Sequence, residues 1–202
     1  MAPAATRKLL DRTGPNAPAV ETAFRAVSET MVAEILDGEL HTMPRPGRRH
    51  TRSASKLGGE LYGPFWRGIG GPGGWMILDE PEVHLGPKPD IVVPDLAGWR
   101  LERMPDEVEA DDDPACYDIA PDWVCEILSP RTEAVDRGKK MRIYRRERVG
   151  HAWLINPITL TLEVYRLEGL HWILLDTFED NDVVRAEPFH AIDLSLAVLW
   201  SR

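Results

Sequence analysis

The sequence contains only two cysteines, Cys116 and Cys125. They form no CxxC pair and no histidine pair lies near them, so we expect neither a disulfide framework nor a zinc site. No apolar run approaches the length that spans a bilayer. The N-terminal segment lacks the apolar core of a secretory signal. These absences predict a cytoplasmic protein that does not contact a membrane.

Positive charge is in deficit, with 24 Lys and Arg against 33 Asp and Glu and a formal net charge of −9. A protein that coats nucleic acid needs a positive surface, so the composition argues against that class. An enzyme with a local basic patch and a carboxylate site remains compatible with it, because a bound metal changes the local sign of the charge. Much of the acidity falls in residues 102–113, which we interpret as a solvated loop.

Several common catalytic motifs are also missing. The chain has no Walker motif, no HExxH and no GxSxG, so the sequence does not support a kinase, a zincin or a hydrolase built on a nucleophile elbow. Residues 68–73 match GxGxxG, but no strand clearly precedes them, Pro72 lies inside the match and no helix follows. The match therefore predicts a flexible turn.

The length and the 43% hydrophobic content fit one domain with one core. We predict a poorly ordered leader over residues 1–19 and a single domain over residues 20–202. Hydrophobic periodicity predicts an α/β or α+β fold without repeats. The predicted elements are helices at 20–33, 50–62, 133–148 and 191–200, a hairpin that turns at Asp37-Gly38, and strands at 75–78, 82–85, 91–99, 122–128, 151–156, 161–167, 172–177 and 183–186.

One apolar strand carries an acid in its middle. In the segment 121–130, alternation places Glu126 on one face and its neighbours Cys125 and Ile127 on the other. Both faces are otherwise apolar, which is typical of a central strand that is buried on two sides. A carboxylate there is costly unless it is paired or bound to metal. The alternative to a functional acid is a buried ion pair with an arginine.

A second acid, Asp95, interrupts the apolar run 91–99, where aspartate is disfavoured. Asp90 is the competing candidate, but it directly follows the turn 86–89, where an aspartate is ordinary. The two acids are five residues apart and would point to opposite faces of a regular strand, although Pro94 could introduce a bulge. We prefer Asp95.

The following helix supplies a lysine. Asp136, Lys140 and Tyr144 recur at intervals of four and share one helical face. The spacing alone is more typical of a surface Asp–Lys pair followed by a core tyrosine. The same helix is the most basic part of the chain, which suits contact with a phosphate backbone, although a solvated basic face is the alternative. Our candidate phosphate-binding residues are Arg137, Arg142 and Arg145.

The order of these segments resembles the Uma family of predicted endonucleases, in the PD-(D/E)XK, restriction-endonuclease-like superfamily. The resemblance covers roughly residues 20–200 and depends on the order of the motifs more than on any single one. The matching pieces, in chain order, are EILDGEL, MPRPGRRH, PD followed by LAGWR, APDWVCEILSP, D-x-x-x-K-x-x-x-Y, HAWLINP and TLEVYRL.

The resemblance implies a restriction-endonuclease-like core, with a mixed central β-sheet flanked by helices and a metal site at one end. It assigns the metal-binding acids to Asp95 and Glu126, with Mg²⁺ or Mn²⁺ as the ion. The superfamily lysine usually lies two residues after the second acid, where this chain has Leu128. The resemblance instead assigns the lysine to Lys140, with Lys139 as the adjacent alternative.

Asp136 and Tyr144 match positions that flank the lysine, and His50 and Glu34 match further family positions to which the sequence assigns no role. The implied function is hydrolysis of phosphodiester bonds in nucleic acid, with DNA favoured and a homodimer plausible. The alternatives are a catalytically silent nucleic-acid-binding domain and a regulatory protein-interaction domain on the same fold.

Overall fold

The computed structural model describes residues 17–87, 90–105 and 115–201. These residues form a mixed α+β fold in which a central mixed sheet is flanked by helices, which confirms the predicted class. No helix in the described ranges is long and apolar enough to cross a bilayer. In chain order the elements are α1 Ala17–Arg25, β1 Met31–Leu36, β2 Glu39–Pro44, α2 Arg48–Leu61, β3 Trp75–Asp79, β4 Val83–Leu85, β5 Asp90–Val92, β6 Leu96–Arg100, β7 Trp123–Ile127, α3 Glu133–Val135, α4 Met141–Arg146, β8 His151–Asn156, β9 Thr161–Glu168, β10 His171–Glu179, β11 Val183–Val184, β12 Leu194–Ser195 and α5 Ala197–Trp200.

The larger sheet has six strands in the order β10-β9-β8-β7-β6-β3. All neighbours are antiparallel except β7 and β8, which are parallel. A parallel pair needs a crossover connection, and α3, a π-helical turn at Asp136–Lys140 and α4 supply it. We refer to this continuous unit, residues 133–146, as the crossover helix. It brings the predicted lysine over the strand that carries the predicted acid.

The two faces of the six-stranded sheet bury different cores. On one face, Cys125 and Ile127 of β7 pack in a cluster with Leu57 and Leu61 of α2. On the other face, Leu128 packs with Ile143 and other residues of the crossover helix. The alternation predicted for β7 is therefore confirmed. Because both faces are covered, the polar end of Glu126 lies in the interior.

A second sheet has four antiparallel strands in the order β2-β1-β5-β4. Its first two strands form the hairpin predicted at Asp37-Gly38. Both turn residues have positive φ, 53° and 80°, as a type I′ turn requires. Apolar residues of this sheet, including Leu36 and Val83, join the cluster beneath the crossover helix. The four-stranded sheet and the crossover helix thus lie on the same face of the six-stranded sheet.

The single strand predicted over residues 91–99 is wrong. The strand β5 ends at Val92 and belongs to the four-stranded sheet, whereas β6 begins at Leu96 and belongs to the six-stranded sheet. Pro94 has no N–H to donate, so it interrupts the ladder between them. Residues 93–95, which we call the crossing segment, carry the chain from one sheet to the other. Asp95 therefore lies between two strands and not within one.

The first predicted helix differs from the structure at both ends. The helix α1 begins at Ala17, inside the predicted leader, and ends at Arg25. A turn follows in which the Thr30 N–H donates to Ser28 Oγ, and Met31 then begins β1. The interval of four between Val27 and Met31 therefore spans a turn and does not continue the helix.

The predictions near the C-terminus and in the acidic segment also need comment. Within the predicted helix 191–200, only Ala197–Trp200 is helical, because Leu194–Ser195 pairs with β11 instead. The strand β11 is also two residues shorter than predicted. In the acidic segment, residues 106–113 lie outside the described residues, as do residues 1–16 of the leader and positions 88–89 of the predicted turn.

Candidate active site

A cavity of about 440 Å³ opens beside the crossing segment. Its walls come from both sheets, from the start of α2 and from the crossover helix. This position follows from the fold, because the crossing segment joins the two sheets at the end of β7. The lining residues that carry or can carry charge are Glu34, Arg45, His50, Glu80, Asp95, Glu126, Arg131, Asp136 and Lys140.

The predicted acid Glu126 and the predicted lysine Lys140 are in direct contact. Both residues are almost fully buried, with exposed fractions of 2% and 3%. Lys140 Nζ donates to Glu126 Oε2 over 2.8 Å and to the Val93 carbonyl oxygen over 3.2 Å. The lysine lies in the π-helical turn, a distortion that is frequent at functional sites. Glu126 thus has the buried partner that its position requires, and that partner is a lysine and not the arginine considered from the sequence.

A third carboxylate, Glu34 of β1, completes the surroundings of the lysine. Glu34 is fully buried, and its Oε1 lies 3.0 Å from Lys140 Nζ and accepts the Val93 N–H over 2.8 Å. Its other oxygen, Oε2, is buried and has no hydrogen-bond partner among the described residues. A buried polar atom without a partner is rare and calls for an explanation such as a bound ion or water. Glu34 therefore has one oxygen that is suited to a ligand.

Asp95 is held in place by two neighbours. Its Oδ2 accepts the Ile127 N–H over 2.6 Å and lies 3.1 Å from His50 Nε2. His50 comes from the first turn of α2, and its Nδ1 is buried without a hydrogen-bond partner in the described part of the chain. His50 matched a family position without an assigned role, and the structure places its imidazole against the Asp95 carboxylate. Only the packing of α2 against the crossing segment reveals this contact.

Asp136, Lys140 and Tyr144 lie on one buried face of the crossover helix. Asp136 is 5% exposed, and its Oδ1 lies 3.9 Å from Lys140 Nζ, so the two do not form the surface pair that the spacing suggested. The Tyr144 hydroxyl donates to Glu126 Oε1. Both oxygens of Glu126 therefore have partners on the crossover helix.

The site holds more acid than base. Burial raises the pKa of Glu126 well above the usual range of a carboxyl, and the neighbouring Asp136, Asp95 and Glu34 add to this rise against the opposing effect of Lys140. Burial also raises the pKa of Asp136 to about 6. Burial alone would lower the pKa of Lys140, but the charges of Glu126 and Glu34, together with Tyr144 and Asp136, raise that pKa well above its usual range. Three buried carboxylates thus lie around one buried ammonium group, with Asp95 as a further acid in the same cavity, an imbalance that a divalent cation would correct.

The two alternative site residues do not line the cavity. Asp90 is fully buried at the start of β5, where it accepts the Asp37 N–H over 2.6 Å and pairs with Arg146. It is therefore not an ordinary exposed turn residue, and it anchors the hairpin turn to the crossover helix. Lys139 points towards β2 and pairs with Glu39. The structure thus separates Lys139 from the acids and brings Lys140 to them.

The predicted phosphate-binding arginines are also outside the cavity lining. The Arg137 guanidinium is engaged by Glu163 of β9, with two bonds of 2.8 and 2.6 Å. Arg142 is exposed, and Arg145 is half-buried on the same helix. These three residues therefore do not converge on the acids.

Other arginines lie at or beside the cavity, and they are not among the phosphate-binding residues predicted from the sequence. Arg131 is exposed and lines the cavity, next to the end of β7. Arg48 and Arg49 are exposed on the first turn of α2, between the cavity-lining residues Gly47 and His50. The run of arginines directly before His50 is the sequence signal that marks Arg48 and Arg49.

Comparison with known proteins identifies the family and the fold of the chain. Residues 24–199 match the family Uma2, described as "Putative restriction endonuclease". The chain belongs to the Uma2 family. It is also similar to the crystal structure of "a putative nuclease belonging to DUF820" from Anabaena variabilis, with 22% identity, a TM-score of 0.71, and coverage of 90% of this chain and 96% of that one. That likeness shows a shared fold. No curated protein matches the chain. Membership of Uma2 places the chain in the nuclease class.

Proposed function

We propose that this protein is a metal-dependent endonuclease that hydrolyses phosphodiester bonds of DNA, with Asp95, Glu126 and Lys140 as its catalytic residues. The observation that carries the proposal is the buried contact between Lys140 and Glu126 beside Asp95, in a cavity that opens to solvent. An acid–lysine constellation of this kind combines sites for a metal with a donor for a phosphate oxygen.

The residues present fit a hard divalent cation. Mg²⁺ and Mn²⁺ prefer oxygen ligands, and the cavity offers the carboxylates of Asp95 and Glu126. Glu34 adds a buried oxygen without a partner in the described residues, and the excess of acid over base favours a cation. When bound, such an ion lowers the pKa of a coordinated water and neutralises charge on the phosphate.

The chain's own groups have separate tasks. Lys140 remains protonated because Glu126 and Glu34 face it, so its ammonium group can donate to a phosphate oxygen or orient the attacking water. The Tyr144 hydroxyl fixes one oxygen of Glu126, and His50 fixes Asp95. Tyr144 and His50 therefore act as positioning residues.

The nucleic acid would approach from the open side of the cavity. Arg131, Arg48 and Arg49 are exposed there and can contact the phosphate backbone without reading sequence. Arg137 is less suited, because Glu163 already neutralises it. A homodimer would place two such sites on one duplex, and sedimentation analysis of the full chain tests that assembly.

Cleavage of supercoiled plasmid in Mg²⁺ or Mn²⁺ tests the proposal. Lys140→Met should lose activity, and Lys139→Met is its matched control because it removes the adjacent lysine, which points to β2. Asp95→Asn should also be inactive. If Lys139→Met loses activity and Lys140→Met keeps it, the proposed site is wrong.

The same experiment separates the alternatives. A silent binding domain would bind DNA with strong salt dependence and cut nothing. A protein-interaction domain would show no thermal shift with Mn²⁺, because only an ion that binds the folded state stabilises it.

A further inference from the structure

Three side chains of different types that can bind metals lie close together at the outer edge of the four-stranded sheet. Glu82 and His84 flank Val83 of β4, and Cys116 precedes Tyr117 on a segment that pairs with this strand. The backbone N–H of His84 donates to the Tyr117 carbonyl over 2.7 Å, and the backbone N–H of Tyr117 donates to the Glu82 carbonyl over 2.9 Å. One carboxylate oxygen, one imidazole nitrogen and one sulfur consequently lie within 4.8 Å of one another.

We propose that Glu82, His84 and Cys116 form a binding site for Zn²⁺ that is distinct from the carboxylate cavity. Thiolate, imidazole and carboxylate are the three ligand types that zinc takes in proteins, and three protein ligands leave the fourth tetrahedral position to water. The sulfur and the nitrogen disfavour Mg²⁺, which prefers oxygen. None of the three residues lines the cavity that contains Asp95 and Glu126.

The existing contacts are compatible with this site. His84 Nε2 lies 2.6 Å from Glu82 Oε1, and the His84 side chain is 7% exposed while that of Glu82 is 26% exposed. The hydrogen bond between them orients the imidazole towards the carboxylate before any ion binds. A bound ion would replace this hydrogen bond: His84 would bind through Nε2 as the neutral imidazole with its proton on Nδ1, and Cys116 would bind as the thiolate, its proton passing to solvent.

Sequence spacing could not reveal this site. Zinc motifs are recognised by pairs of ligands a few residues apart, and Cys116 has no such neighbour. Here the pairing of Val83 with Tyr117 brings Cys116 close to Glu82 and His84. A bound ion would therefore tie that segment to the edge of the four-stranded sheet.

The test uses the full chain, freed of metal with a chelator and dialysed into excess Mg²⁺ so that the carboxylate cavity is occupied. Zn²⁺ is then titrated by calorimetry, and Co²⁺ is used as a spectroscopic probe of a thiolate ligand. The variants are Cys116→Ser and His84→Gln. The controls are His190→Gln, which removes an exposed histidine, and Cys125→Ala, which removes the other cysteine.

We expect one Zn²⁺ per chain, a rise in the melting temperature and a thiolate-to-cobalt charge-transfer band in the parent and in both controls. Cys116→Ser should lose the band. Both site variants should weaken Zn²⁺ binding by at least about tenfold, the loss that removal of an outer-shell partner alone can cause. If either site variant fails to fold by circular dichroism, Glu82→Gln replaces it, since the Glu82 side chain is more exposed than that of His84.

Two results would overturn the proposal. If the site variants bind Zn²⁺ as well as the parent does, the ion binds elsewhere. If the parent does not bind Zn²⁺, then Glu82, His84 and Cys116 form a hydrogen-bonded cluster that is not a metal site. The result is independent of nuclease activity, because Glu126→Gln should abolish cleavage and leave Zn²⁺ binding unchanged.

Discussion

Replacing Lys140 by methionine removes the ammonium group that lies beside Glu126, Glu34 and Asp136 in the cavity and keeps most of the side-chain volume. Glu126 and Glu34 lie 2.8 and 3.0 Å from Nζ and are at most 2% exposed, so they would become buried anions without a counter-charge. Breaking a buried ion pair from one side costs about 3–5 kcal/mol. We expect a loss of this size in the free energy of unfolding near neutral pH without metal.

Urea unfolding in the presence of a chelator measures this loss, with Lys139→Met as the control. Lys139 is exposed by 30% and pairs with Glu39 on the surface, so its replacement should change stability by about 1 kcal/mol at most. Saturation with Mn²⁺ should restore much of the stability of Lys140→Met, about 2.7 kcal/mol at a metal concentration of a hundred times Kd. Adding Glu126→Gln to the lysine variant should also restore stability, because one unpaired anion is removed. Equal stability of the two lysine variants would refute the role of Lys140 as the counter-charge of the buried acids.

Three further predictions follow from the same geometry. Glu126→Gln should fold normally and keep or increase its stability without metal, because Lys140 retains Glu34 as a partner. The same variant should lose plasmid cleavage. Marked unfolding in circular dichroism would contradict the expected stability. Burial raises the pKa of Asp136 from its unfolded value of 3.8 to about 6, so the folded state binds more protons between these two pH values and the stability of the metal-free protein falls as pH rises. Asp136→Asn should flatten this pH dependence of the free energy of unfolding, measured with urea. An unchanged slope would contradict the assignment to Asp136. The double variant Arg48→Gln/Arg131→Gln should weaken DNA binding and reduce its salt dependence in fluorescence anisotropy, whereas Arg137→Gln should not, because Glu163 already holds that guanidinium.

The parts of the site that depend on local order were predictable from the sequence. Alternation along β7 correctly placed Glu126 on a strand that is buried on both faces. The intervals of four correctly placed Asp136, Lys140 and Tyr144 on one helical face, because helical geometry alone fixes such neighbours. The choice of Lys140 over Lys139 rested on the family resemblance, and the structure brings only Lys140 to Glu126.

The parts that depend on contacts between distant segments were not predictable. Pro94 signalled an interruption, but the sequence could not show that the chain changes sheets there, since this depends on the pairing of β1 with β5. The same pairing brings Glu34 to the Val93 N–H and so into the site. His50 likewise acquires its contact with Asp95 only when α2 packs beside the crossing segment.

The origin of Lys140 on a helix has a consequence for how such sites can be recognised. The acid and the lysine belong to consecutive elements joined by residues 128–132, and Leu128 is free to fill the core beneath the crossover helix. Their separation along the chain is thus set by the length of a connection and not by the pleat of one strand. A search with a fixed interval between acid and lysine would pass over this chain. A search for an ammonium nitrogen within hydrogen-bond distance of a strand-borne carboxylate, wherever the lysine lies in the sequence, would find it.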